Sequence, residues 1–302
     1  MSDRTLTVRL ITRVVAVLVV GIASVPLGGC QWIGGGKKIS IESNFSVPES
    51  ALHDLEHDVY LVSNINADPF GGDGAGYISK LSPEGEVIEA KWIDGSKDGV
   101  TLNAPKGMAI SGGYLYVADV NAVRKFDVST GAPAGDIPIA GATFLNDLAT
   151  ALDGTVYVSD TGMSPGFEPS GSDAIYAISR DGTVRTLVKS TSLSRPNGLL
   201  VDGDTVLMVN WEGGSLSRVK ADGSVEEICK LPKAQLDGIV VCTDGSLLIS
   251  SWEGSCIYRV QDGEITAVIE GVEAPADIGY DKNRGRLLLP YFKGNRVDII
   301  PQ

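Results

Sequence analysis

Four residues of this 302-residue chain carry side-chain oxygen at matching places in short apolar segments: Glu49, Asn146, Asn197 and Asp237. Two carboxylates and two amides, with no thiolate or imidazole, make an oxygen-only set. Such a set suits a hard divalent cation, Ca²⁺ first, then Mg²⁺ or Mn²⁺. Turn preference explains an Asn or Asp at the start of any one segment, but explains four at one register less well. A cation held there polarises a carbonyl and acidifies bound water. Asp237, or a carboxylate beside it, is the candidate to take that proton. Lys106 and Ala276 occupy the two remaining places of the register. The Lys106 ammonium either neutralises the carboxylates or contacts substrate. Asp160, Trp211 and Trp252 close neighbouring segments and are expected on the same side. There the tryptophans either wall a substrate ring or pack between structural units.

The elements that position these residues form a repeat. Pro196-Asn197-Gly198-Leu199-Leu200 leads through a turn to Val206–Trp211, and Leu236-Asp237-Gly238-Ile239-Val240 leads likewise to Leu247–Trp252. The register positions Lys106, Asn146, Asn197, Asp237 and Ala276 are spaced by 40, 51, 40 and 39 residues. The long interval contains the Gly/Pro/Ser-rich stretch Gly162–Ser172, read as a surface loop. A period near forty with several β-rich runs per unit is a propeller signature. Asp-Gly pairs such as Asp153-Gly154 and Asp244-Gly245 supply hairpin turns. The second run of each unit is almost continuously apolar, as expected of strands buried on both faces. With a sixth unit starting at Glu49, the expected fold is an all-β, six-bladed β-propeller of four-stranded antiparallel blades over residues 39–302. The last unit shows only three strands, so Lys38–Phe45 is expected to add its outer strand and close the ring.

On these motifs the mature chain resembles the SMP-30/gluconolactonase/luciferin-regenerating (regucalcin-like) propellers. The family's Arg-Pro-Asn-Gly element is matched by Arg195-Pro196-Asn197-Gly198. Its Asn-Asp-Gly element resembles Asn146-Asp147-Leu148, and its Pro-Asp-Gly resembles Leu236-Asp237-Gly238. Its Glu-Gly-Pro-x-Trp-Asp element stands here as Glu49-Ser50-Ala51-Leu52-His53-Asp54. The resemblance implies that Glu49, Asn146, Asn197 and Asp237 bind a divalent metal, and that the substrate is a small lactone or related ester. It also points to a substrate-binding position at Phe144, where sugar-lactone hydrolases of the family carry arginine. That departure sets sugar-lactone specificity apart from the metal site, and Lys106 is the alternative cation.

Other chemistries are excluded or weak. The only histidines, His53 and His57, have no metal-ligand spacing, and no Gly-x-Ser-x-Gly elbow is present. The glycine cluster 71–76 has no helix after it and reads as a loop. A formal net charge of −13 repels phosphate backbones, so nucleic acid is not an expected partner. A monomer acting on a small molecule is expected. Arg4, Arg9 and Arg13 precede the apolar run Val14–Val25, the order of a signal segment over residues 1–29. Leu27-Gly28-Gly29-Cys30 resembles a lipobox, implying lipidation at Cys30, a membrane anchor in the bacterial cell envelope, and a tether over residues 30–38. Cys229, Cys242 and Cys256 lie in apolar segments and are expected to be buried small hydrophobes, the odd count leaving at least one free thiol or an intermolecular bond.

Overall fold

The computed structural model describes residues 36–302. The signal segment, Cys30 and the first part of the tether lie outside the described residues.

Six four-stranded antiparallel sheets follow one another along the chain. Blade 1 comprises Pro48–Asp54, Val59–Asn64, Tyr77–Leu81 and Val87–Asp94. Blade 2 starts with Pro105–Ser111, blade 3 with Leu145–Thr150, blade 4 with Pro196–Asp202 and blade 5 with Leu236–Val241. Blade 6 combines Gly279–Asp281, Arg286–Tyr291 and Arg296–Pro301 with Ile39–Ile41 from the start of the described chain. The expected closure is therefore present: Ile39 pairs with Ile299 and Ile41 with Val297. Asp298, wholly buried, fastens this seam by accepting from Ser40 Oγ (2.5 Å), Tyr291 OH (2.7 Å) and Lys38 Nζ (3.0 Å).

Burial explains the sequence pattern. Val59–Asn64 is buried at every residue, whereas an outer strand such as Val225–Lys230 is almost wholly exposed. Apolar side chains gather into six clusters, one at each seam between blades; Leu61 and Ile78 of blade 1, for example, meet Leu115 and Phe126 of blade 2. Each blade is thus packed on both faces, and the innermost strands are left to border the central channel. Cys229, Cys242 and Cys256 are free thiols, the first partly exposed and the others buried.

Candidate functional site

A single local device aims the predicted residues. The pairing of first and second strands is interrupted between Pro48 and Ser50, Pro105 and Met108, Leu145 and Leu148, Pro196 and Leu199, and Leu236 and Ile239. Each interruption is a bulge spanning one register residue: Glu49, Lys106, Asn146, Asn197 or Asp237. A bulge takes a residue out of the strict in-and-out alternation and re-aims its side chain. Glycine follows in three of the five because the neighbouring inner strand lies against its Cα. A Cβ at Gly107 would overlap Asp147, one at Gly198 would overlap the Asp237 carbonyl, and one at Gly238 would overlap Asp277 and Ile278.

Glu49, Asn146, Asn197 and Asp237 line one cavity together with Lys106, Phe144, Trp211 and Trp252. All four oxygen-bearing residues are buried. Among the described residues, seven buried side-chain nitrogen or oxygen atoms lack a hydrogen-bond partner. Four of the seven are Glu49 Oε2, Asn146 Oδ1, Asn197 Oδ1 and Asp237 Oδ1. Leaving one such atom unpaired costs about 1–3 kcal/mol, so four lining one space point to a shared electropositive partner. The orientation at Asn146 is forced. Thr161 Oγ1 gives its only proton to the Pro196 carbonyl (2.8 Å) and can only accept from Asn146 Nδ2 (2.9 Å). That bond turns Asn146 Oδ1 away, unpartnered. Likewise Trp252 Nε1 donates to Asp237 Oδ2 (2.7 Å), leaving Oδ1 unpartnered. Two carboxylate oxygens and two amide oxygens fit a hard cation. Among the described residues no three His, Cys, Asp or Glu side chains form a metal-holding group, since half of this set is amide.

The electrostatics agree. Burial, then repulsion from Asp237 and Asp277, raises Glu49 well above the ordinary carboxylate range. Burial and the Asp277 charge push Asp237 up to about 8. These carboxylates crowd one another where water is scarce, and a cation would relieve both penalties. Lys106 is fully buried, and burial lowers its ammonium to about 8 despite the nearby carboxylates, Glu49 foremost. Its Nζ donates to the Ala104 carbonyl (3.1 Å) and the Pro69 carbonyl (3.2 Å) and lies 4.2 Å from the Phe144 ring centroid. Two of its three protons are thereby used, leaving one for a ligand.

Two aromatic groups close the cavity over the oxygens. Trp211 meets Trp252 edge-on at 5.1 Å between centroids, and Trp252 meets Phe292 at 4.9 Å. Opposite them Phe70 contacts Phe144 at 4.7 Å and Phe167 at 5.2 Å. The tryptophans are therefore cavity wall. The space enclosed is about 40 Å³, little more than one water's share of liquid, about 30 Å³.

The structure does not bring Asp160 into this cavity. Its carboxylate accepts from the backbone N–H groups of Thr143, Phe144 and Gly162 at 3.0–3.1 Å. Asp160 holds the loop that carries Phe144 and has no free oxygen for a substrate. Nor are the histidines near: His57 Nδ1 pairs with Asp54 (2.7 Å) and His53 Nε2 with Asp58 (3.2 Å), toward the opposite rim. Ile65, Pro69, Met163, Phe167 and Phe292 are lining residues outside the predicted set, and Phe70 packs behind Phe144 and Phe167. The Gly162–Ser172 loop folds into a small hairpin, Met163–Ser164 against Glu168–Pro169, which places Met163 and Phe167 at the cavity.

No protein-family model matches the chain, and no curated protein matches it by sequence. Solved structures do. A gluconolactonase from Xanthomonas campestris superposes with a TM-score of 0.70 at 18% identity, over 89% of this chain and 91% of that one. The chain has the gluconolactonase fold. A second structure, of a protein assigned as a gluconolactonase, aligns at a TM-score of 0.68 and 16% identity, over 89% of this chain and 93% of that one. The virginiamycin B lyase of Staphylococcus aureus, solved with quinupristin, aligns at 0.60 and 14% identity, over 88% of this chain and 98% of that one. The architecture therefore hosts lyase as well as lactonase proteins, and function has to be argued from the site.

Proposed function

We propose that this protein is a metal-dependent hydrolase of lactone or related ester bonds, exported and anchored in the cell envelope through a lipid on Cys30. The observation that carries the reading is the set of four unpartnered oxygens, Glu49 Oε2, Asn146 Oδ1, Asn197 Oδ1 and Asp237 Oδ1, bordering one cavity. These four residues would hold the cation, with Ca²⁺ favoured by hard, mixed oxygen ligands. A divalent cation bound there supplies Lewis-acid polarisation of a carbonyl and a more acidic bound water.

The chain's own groups do the rest. Asp237, whose Oδ2 is held by Trp252, or a carboxylate beside it, takes a proton from an attacking water. Lys106 keeps one donor for the developing oxyanion, in the role an arginine at the Phe144 position would otherwise fill. Trp211, Trp252 and Phe292 offer apolar area to the substrate body and exclude water. Phe167 must swing aside to admit a substrate and, half exposed, is free to do so.

Ile39 pairs near the end of the Arg296–Pro301 strand, whose beginning adjoins the Phe292 turn at the aromatic mouth. The described chain therefore joins the propeller at the rim opposite the oxygen ring. Cys30→Ser should move the protein from the membrane to the soluble fraction, and continued membrane retention refutes the anchor.

The reaction is tested with a panel of lactones and aryl esters in the presence of calcium. Asn197→Ala and Asp237→Ala should each abolish calcium binding and turnover together; unchanged activity in either removes the mechanism. Calcium binding without turnover of any panel member would support a non-catalytic propeller that binds a small molecule.

A further inference from the structure

The central channel has a second mouth. On the rim opposite the oxygen ring it widens into a cavity of about 690 Å³, within the roughly 300–1,000 Å³ typical of small-molecule sites. Its wall is largely aliphatic, with Leu52, Leu148, Leu200, Val240 and Ile278 contributed by five different blades. Its floor is polar and consists of Ser50, Asp147 and Asp277.

The two floor carboxylates differ. Asp147 is fully engaged: Oδ1 accepts from its neighbour Leu148 N–H and Oδ2 from Leu199 N–H on the adjacent inner strand, both at 2.6 Å. Asp277 accepts from Ser50 Oγ through Oδ2 (2.5 Å), while no hydrogen bond reaches its Oδ1 among the described residues. Asp277 is only 7% exposed, yet it lines the cavity. A carboxylate on so buried a residue, with one oxygen open to an apolar cavity and free of protein partners, suits a donor there, and a cationic donor makes the stronger bond. Among the described residues Lys282 is the only lysine or arginine lining the cavity, and it is exposed at the mouth rather than at the floor. The hairpin turns ringing this mouth carry Glu56, Asp153, Asp202, Asp204 and Asp244, all exposed; Asp202 pairs with Arg218 (3.2 Å) and Asp244 with Arg259 (3.1 Å). The charge of Glu56, Asp153 and Asp204 favours a cation over an anion at this mouth.

We propose that this second mouth binds a small organic cation, a protonated amine on an apolar body, with its ammonium at Asp277 Oδ1 and its body against the aliphatic wall. The cavity opens at the other end of the channel from the oxygen ring, although the Asp277 charge acts on Glu49 and Asp237, and its occupancy does not depend on the lactonase reading.

Calorimetric titration with phenylbutylamine, phenylbutanol and phenylbutyrate, in calcium-containing buffer at neutral pH, tests this. The amine should bind about tenfold or more tightly than the alcohol, and the carboxylate should not bind detectably. Asp277→Asn should remove the preference for amine over alcohol. Thr150→Arg adds a positive charge at a half-buried polar position on the funnel wall, so it should fold. It should weaken amine binding about tenfold and leave calcium binding unchanged. Asn197→Ala, at the oxygen ring, should leave amine binding as it is. Equal binding of amine and alcohol overturns the proposal, as does no amine binding at millimolar concentration. So does an affinity that Thr150→Arg leaves intact, or one that Asn197→Ala abolishes.

Discussion

Trp252 Nε1 donates to Asp237 Oδ2 at 2.7 Å, so an aromatic wall residue fixes which oxygen of the ring carboxylate is left free. The same tryptophan is packed edge-on against Trp211 and at a tilt against Phe292, which holds its orientation. Wall and oxygen ring therefore form one rigid unit. Residues that orient a metal ligand typically change affinity or activity by about 10–100-fold when removed. Trp252→Phe keeps the packing and deletes the donor, so calcium affinity and turnover should both fall within that range while the melting temperature moves little. Parallel calorimetry and thermal melts check this, and unaltered calcium affinity would deny the coupling.

The glycines after the bulges set how closely the inner strands approach. Gly238→Ala would place a methyl against Asp277 and the Ile278 backbone, where nothing flexible can yield. It should destabilise the protein by about 1–3 kcal/mol, as overpacking does. Gly72→Ala, which meets nothing within 4 Å, should be close to neutral. Denaturant melts of the two variants give the comparison.

Ring closure should depend on Asp298. Burial works against its ionisation, yet hydrogen bonds from Ser40, Tyr291 and Lys38 outweigh that and hold its carboxyl below the usual range. A lowered carboxylate contributes stability above its unfolded pKa and loses it as pH falls through the folded value. Asp298→Asn should therefore be less stable than wild type at neutral pH by about 1–3 kcal/mol. The gap should narrow below about pH 4. A gap independent of pH would assign the loss to something other than the charge.

Access to the oxygen ring should be governed by Phe167. Its ring contacts only Phe70 among the aromatic residues and is half exposed, so Phe167→Ala should cost little stability. It should lower KM for bulky aryl esters more than for small lactones, because it widens a space of only about 40 Å³. Equal effects on both substrate classes would show that Phe167 does not gate the cavity.

Much of this was legible in the sequence, for identifiable reasons. The forty-residue spacing and the apolar second strands reveal blades because each seam buries both faces. The shared register of Glu49, Lys106, Asn146, Asn197 and Asp237 was visible because each occupies the same bulge in its blade. Asp160 misled because a carboxylate at a strand end serves equally well for capping a loop, and only its three backbone donors distinguish the roles. Phe70, Phe167 and Phe292 carry no periodic signal, since they sit in loops of unequal length whose packing is decided across the channel. Asp277 was hidden for a different reason: it follows Ala276, the one register position with no functional side chain, and its importance lies in facing the opposite mouth.

The most direct measurement is a calcium titration of the chelator-stripped protein by calorimetry, beside the Asn146→Ala/Asn197→Ala double variant. The account predicts one saturable site in the wild type, absent from the double variant. No binding to the wild type, or an unchanged site in the double variant, would contradict it.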